Sequence, residues 1–195
     1  MKCTNNSVTG LPECGFDDPV QGKDFRALST VLAPVLEASD TVYPRIYIAP
    51  HGGDCVGGCS HADIESWIKA LVAEAGRLMQ HRPLSVFPVM WQWYSGALNN
   101  QPLSDIDRRI AMTAPYDAGA SGVVVFVDVE GKNHPQQLRT YALIDTGPDG
   151  EAFLGRVARC AVANCSNHGR CVPLRTGRCV CDPGRSGPRC AQVGE

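Results

Sequence analysis

Three short runs of the chain are apolar at almost every position: "RIYIAP" (45–50), "SVFPVMWQW" (85–93) and "GVVVFVDV" (122–129). Such runs predict strands buried on both faces of a parallel sheet. The segments between them have a different period. In "ADIESWIKALVAEAGRLM" the apolar positions Ile64, Trp67, Ile68, Leu71 and Val72 recur at helical spacing and predict one buried helix face. "SDIDRRIAMTAPYDAG" predicts a second helix, capped by Ser104 with Asp107 three residues on, and ended by Gly119. Pro135 suits the first turn of a third. The strands start about 40 residues apart, which predicts an α/β chain of repeated βα units. A doubly wound sheet and part of a (β/α) barrel both fit. Three units do not close a barrel, so an apolar sheet edge is expected to lack a partner strand.

The pattern stops near residue 156. Beyond it the chain has few large apolar residues and six of the ten cysteines: Cys160, Cys165, Cys171, Cys179, Cys181 and Cys190. A segment this short cannot build a core of its own and needs covalent staples. The division expected is therefore 1–156 and 157–195. Ten cysteines, an even count, predict disulfides and an oxidising compartment. Sequons at Asn5 and Asn164 agree with that setting. The first ten residues hold no apolar stretch that could serve as a secretion signal, so further sequence upstream, or a Met1 that is not the natural start, is expected. A net charge of -2 points to neither nucleic acid nor membrane, and no apolar run approaches the length of a membrane span.

The tail's cysteines are separated by 4, 5, 7, 1 and 8 residues, with Cys179-x-Cys181 and Gly187 three before the last. This spacing resembles an EGF-like module. The resemblance implies the pairs Cys160–Cys171, Cys165–Cys179 and Cys181–Cys190. "RVAR" before Cys160 lacks the acidic residues of calcium-binding EGF modules, so no calcium is expected.

The rest is similar to the animal and venom hyaluronidases. "YPRIYIAP" resembles their "YPSIY" strand. "VFPVMWQWYSGALNNQPLSDIDRRIAMTAPYDAGASGVVVFVDVEG" resembles their next two strands, with the "Leu-Ser-x-x-Asp" helix between. "RCAVANCSNHGRCV" is similar to the run joining their barrel to its EGF-like appendage. "KCTNNSVTGLPEC" matches a family loop and implies a Cys3–Cys14 bond. The resemblance implies the back half of a TIM-type barrel followed by the module. The family's catalytic Asp-x-Glu lies on an earlier strand than any present here. There the Glu is the general acid, and the substrate's N-acetyl oxygen attacks the sugar carbon with retention. Family members also tie their N-terminal region by a disulfide to the helix after the last strand. The corresponding "PQQLRTYALI" has no Cys, consistent with a natural short form. At positions that line the family's cleft, Tyr47 is kept, Val89 replaces a tyrosine and Phe126 replaces a tryptophan.

Other residues could carry chemistry. Asp128 and Glu130 end the third strand on one face, as a glycosidase pair would; helix capping by solvated carboxylates is the simpler role. "HGGDCVGGCSH" offers His51, Cys55, Cys59 and His61 as metal ligands; a Cys55–Cys59 disulfide in a Gly-rich turn is preferred, with no metal. Trp91 and Trp93 share a strand face and could be core or a sugar platform, as could Tyr47 and Phe126. Together these features imply a secreted or lysosomal hyaluronidase-like glycosidase without cofactor, acting on hyaluronan or chondroitin, whose EGF-like module could meet a protein partner. The rival is a non-catalytic glycan-binding or protein-interaction module.

Overall fold

The computed structural model describes residues 21–31, 33–48, 60–78, 85–95, 101–126, 148–172 and 176–194. Helices α1 (Gln21–Val31) and α2 (Ala33–Glu37) lead into β1 (Thr41–Val42) and β2 (Arg45–Ile46). Then come α3 (His61–Leu78), β3 (Ser85–Val86), β4 (Val89–Trp91), α4 (Asp105–Asp117) and β5 (Val124–Phe126). β1 pairs with β3, and β2–β4–β5 form a three-stranded sheet, all parallel.

The second predicted strand is broken once, the first is preceded by an extra short strand across a similar break, and proline is the reason in both places. Tyr43-Pro44 interrupts β1 and β2; Phe87-Pro88 interrupts β3 and β4 at the same register. Proline has no N–H for the ladder, but its carbonyl still accepts. Val89 N donates to Pro44 O and Val124 N to Pro88 O, both at 2.8 Å. The strands therefore stay aligned across the breaks.

One sheet face is packed. Ile46 and Met90 meet Ile64 and Ile68 of α3 and Ala111, Met112 and Ala114 of α4 in one core cluster, with Val123 and Val125 against it. Val42 and Val86 continue it, against Val72, Ala75 and Ala120. The opposite face is not filled in this way. Side chains alternate along a strand, so continuing the register gives three rows: Tyr43–Phe87–Gly122, Arg45–Val89–Val124 and Tyr47–Trp91–Phe126. Tyr43 is 58 % exposed, Val124 38 % and Phe126 44 %. Burial of all three strands on both faces, expected from their composition, is thus not met in β5. The rows face what would be the interior of a closed barrel, and the strands among the described residues are too few to fill it. Gly122 belongs to this pattern. A Cβ there would lie 3.0 Å from the Phe87 ring.

Helix α5 (Pro148–Cys165) enters the disulfide-rich tail, whose strands β6 (Gly169–Cys171) and β7 (Cys179–Cys181) form one antiparallel pair. β8 (Arg185–Ser186) and β9 (Gln192–Val193) form another. Cys160–Cys171, Cys165–Cys179 and Cys181–Cys190 are bonded, and the buried Cys165, Cys171 and Cys190 serve as the module's core. Gly169 is where the backbones close in: an added Cβ would stand 2.5 Å from Val180 O. The molecule is a partial (β/α) barrel followed by a small disulfide-rich module. α5 runs unbroken through residue 156 and belongs to both.

Candidate functional site

The row Tyr47–Trp91–Phe126 closes the strands at their C-terminal ends. Its rings are in contact: Tyr47 lies 5.8 Å from Trp91 and 6.4 Å from Phe126, centroid to centroid. Arg45 Cζ sits 5.1 Å above the Tyr47 ring, a cation–π distance. Two rows back, beyond the Arg45 row, Tyr43 is stacked on Phe87 at 6.2 Å. The result is an open aromatic surface with one cation and, in the three rows, no carboxylate. Aromatic faces suit the C–H faces of sugar rings because they offer apolar area and a negative π-face without demanding hydrogen bonds.

Trp93 does not join this row. The strand ends at Trp91, and Trp93 bridges instead to Pro102, leaving the ring 5 % exposed. The same turn of chain places Tyr94 beside α4. Tyr94 OH donates to Asp107 Oδ2 and accepts from Ser104 N at 3.1 Å. Ser104 Oγ donates to the same carboxylate oxygen at 2.8 Å and accepts from Asp107 N at 3.1 Å. Burial, then the Asp107 hydrogen bond, hold the Tyr94 hydroxyl protonated by raising its pKa above 10.0. His61, which opens α3, approaches Asp107 Oδ1 at 3.7 Å. The capping pair read from sequence is thus part of a buried hub joining the loop after β4 to α4. Tyr94 was missing from the sequence reading because no local spacing ties it to Asp107.

Asp128, Glu130, His51, Cys55 and Cys59, together with the Cys3–Cys14 pair and Asn5, lie outside the described residues. Asn164 is exposed on the last turn of α5, and its Nδ2 donates to Cys160 Sγ at 3.1 Å. Among the described residues no cluster of His, Cys, Asp and Glu could hold a metal, and no helix is long and apolar enough to cross a membrane.

A sequence model of the EGF-like domain matches residues 160–190. A search of curated proteins finds no match. Among solved structures, bee venom hyaluronidase in a monoclinic crystal is similar with a TM-score of 0.54 at 18 % identity, covering 65 % of this chain and 40 % of that one. Bee venom hyaluronidase in complex with a hyaluronic acid tetramer is similar with a TM-score of 0.54 at 17 % identity, covering 65 % and 39 %. The chain therefore spans about two fifths of the length of those enzymes. The fold is that of part of the hyaluronidase barrel, and the tail is an EGF-like domain.

Proposed function

We propose that this chain is the sugar-binding back half of a hyaluronidase-like glycosidase acting on hyaluronan or chondroitin, with its EGF-like module from residue 157. The observation that carries the reading is the ring row Tyr47–Trp91–Phe126 at the C-terminal ends of parallel strands, with Arg45 beside it. That end of a barrel is where enzymes of this architecture keep their chemistry. The rings would stack on sugars, and Arg45 would meet a uronate carboxylate. The reaction that fits is retaining hydrolysis in which the substrate's N-acetyl oxygen attacks and a carboxylic acid protonates the leaving oxygen. The three rows supply no such acid. The disulfides of the tail fit an extracellular setting.

The test is binding and hydrolysis of hyaluronan oligosaccharides by the purified chain. Binding is expected, with Tyr47→Ala and Trp91→Ala each weakening it about tenfold, since one base-sized ring stack is worth ~1 to 3 kcal/mol. Hydrolysis is expected to be negligible, because a positioned general acid contributes about 10²–10⁴ in rate. Absence of any glycan binding would sink the reading. Hydrolysis abolished by Glu130→Gln would instead move the acid to the Asp128/Glu130 pair. The second reading, a non-catalytic glycan-binding module, is favoured by the same lack of a carboxylate in the rows; it predicts binding without turnover even when an upstream half is supplied.

A further inference from the structure

On the outer surface, away from the ring row, α4 and α5 enclose a cavity of about 250 Å³ lined by Arg109, Met112, Asp149, Ala152, Arg156 and Arg159. Asp149, Ala152, Arg156 and Arg159 are spaced by three, four and three, so they share one face of α5. Met112 and Ala152 supply the apolar part of the wall. The charges are unevenly used. Asp149 is taken up by Arg108, whose Nε and Nη2 both donate to Oδ2 at 3.1 and 2.5 Å. Those hydrogen bonds hold its carboxyl below the ordinary value of 3.8. Arg109 Nε reaches Asp149 Oδ1 at only 3.5 Å and is largely exposed. Arg156 and Arg159 are exposed and have neither ion pair nor hydrogen bond among the described residues. Arg159 Nη1 lies 3.3 Å from where a Cβ of Gly155 would be, so its guanidinium lies back over its own helix. A glycine inside an exposed helix costs about 1 kcal/mol relative to alanine. Here it leaves room for that guanidinium.

We infer that this groove binds a sulfate group of a sulfated glycosaminoglycan, outside the glycan path of the barrel. Guanidinium groups bind tetrahedral oxyanions bidentately, and three lining one groove, whose single carboxylate is already paired with Arg108, leave a local positive excess. The space is below that of a typical small-molecule pocket, so it admits a charged substituent and not an oligosaccharide. With a net charge of -2 the chain has no broad positive field for nucleic acid or an anionic membrane. A few anionic groups spaced along a flexible polymer match the local character of the site. The glycan identity of that polymer rests on the function proposed above; the anion site does not.

The probes are chondroitin sulfate and unsulfated chondroitin oligosaccharides of equal length, titrated onto the full chain at low and moderate salt. The sulfated chain is expected to bind about tenfold tighter or better, and Arg156→Ala with Arg159→Ala to remove that advantage while leaving unsulfated binding unchanged. Both side chains are exposed and make no ion pair or hydrogen bond among the described residues, so the far-ultraviolet circular dichroism should not move. Equal binding of the two glycans, or undiminished sulfate preference in the double variant, overturns the inference. So does full displacement by millimolar inorganic sulfate at constant ionic strength, which would make the site one for the free anion. Tyr47→Ala separates the two proposals: it should weaken both glycans equally and keep the sulfate preference.

Discussion

At Asp107 one carboxylate does three things. It closes the N-terminus of α4 with Ser104, accepts the Tyr94 hydroxyl, and faces His61 across the gap to α3. Replacing Tyr94 by Phe keeps the ring's burial and removes one donor and one acceptor. Asp107 then retains only Ser104 on that oxygen, and Ser104 N loses its acceptor. The expected loss is about 1 to 2 kcal/mol of unfolding free energy, because unmade hydrogen bonds of buried groups cost more than formed ones gain. Urea unfolding with the disulfides intact measures it. An unchanged midpoint would mean that water replaces the hydroxyl without cost.

Between elements, α1 is held to α3 by a carboxylate. Glu74 is buried and accepts from Ser29 Oγ at 2.5 Å and from Arg77 Nε and Nη2 at 2.7 and 2.6 Å. Arg77 also donates to Thr30 Oγ1 at 3.1 Å. Burial pushes the Glu74 carboxyl up, but the hydrogen bonds from Arg77 and Ser29 and the Arg77 charge outweigh it, leaving it below its ordinary value of 4.5. A depressed folded-state pKa binds fewer protons in the native state. The stability it contributes is therefore complete above about pH 4.5 and is lost as pH falls through the folded value. Glu74→Gln should cost about 1 to 2 kcal/mol near neutral pH, discounted because Arg77 is partly exposed, and the deficit should shrink below pH 4. A pH series of unfolding midpoints for both proteins checks the sign; a deficit that grows with acid would contradict it. None of this was legible in the sequence. Glu74 sits between two alanines, and its partner Ser29, like Thr30 that Arg77 meets, is more than forty residues away. What could be read was local: α3 from its apolar face, α4 from its cap and its closing glycine, the strands from their apolar runs. The prolines at 44 and 88 were in plain view, but composition alone does not say that they fall at one register and break paired strands together. Nor could a uniformly apolar run reveal which face of β5 would be open. That depends on how many strands the barrel has, which is not a local property. Trp93 shows the same limit. The i, i+2 rule places it beside Trp91 only while the strand continues, and here it ends at Trp91.

For the molecule as a whole, α5 ties the two parts together. Its first turns bind the barrel through Asp149 with Arg108 and through Phe153, which meets Tyr116 edge-on at 5.7 Å. Its last turns carry Cys160 and Cys165 of the EGF-like domain. The module then reaches back. Arg170 Nη1 donates to Ala120 O at 2.6 Å and Nη2 to Gly119 O at 3.0 Å, a fork on the carbonyls just past the end of α4. A cation there also answers the negative end of that helix. Arg189 does the same for α5, donating to Ala163 O at 2.6 Å. A module held by a continuous helix and by an arginine fork is not a bead on a flexible linker. Relaxation of backbone ¹⁵N amides should therefore give one rotational correlation time for both parts. Arg170→Ala removes the fork but none of the disulfides, so the module should stay folded while its correlation time falls below that of the barrel. If the two times remain equal in the variant, α5 and the Tyr116–Phe153 contact hold the parts together without Arg170. If they already differ in the unaltered protein, the fork does not persist in solution.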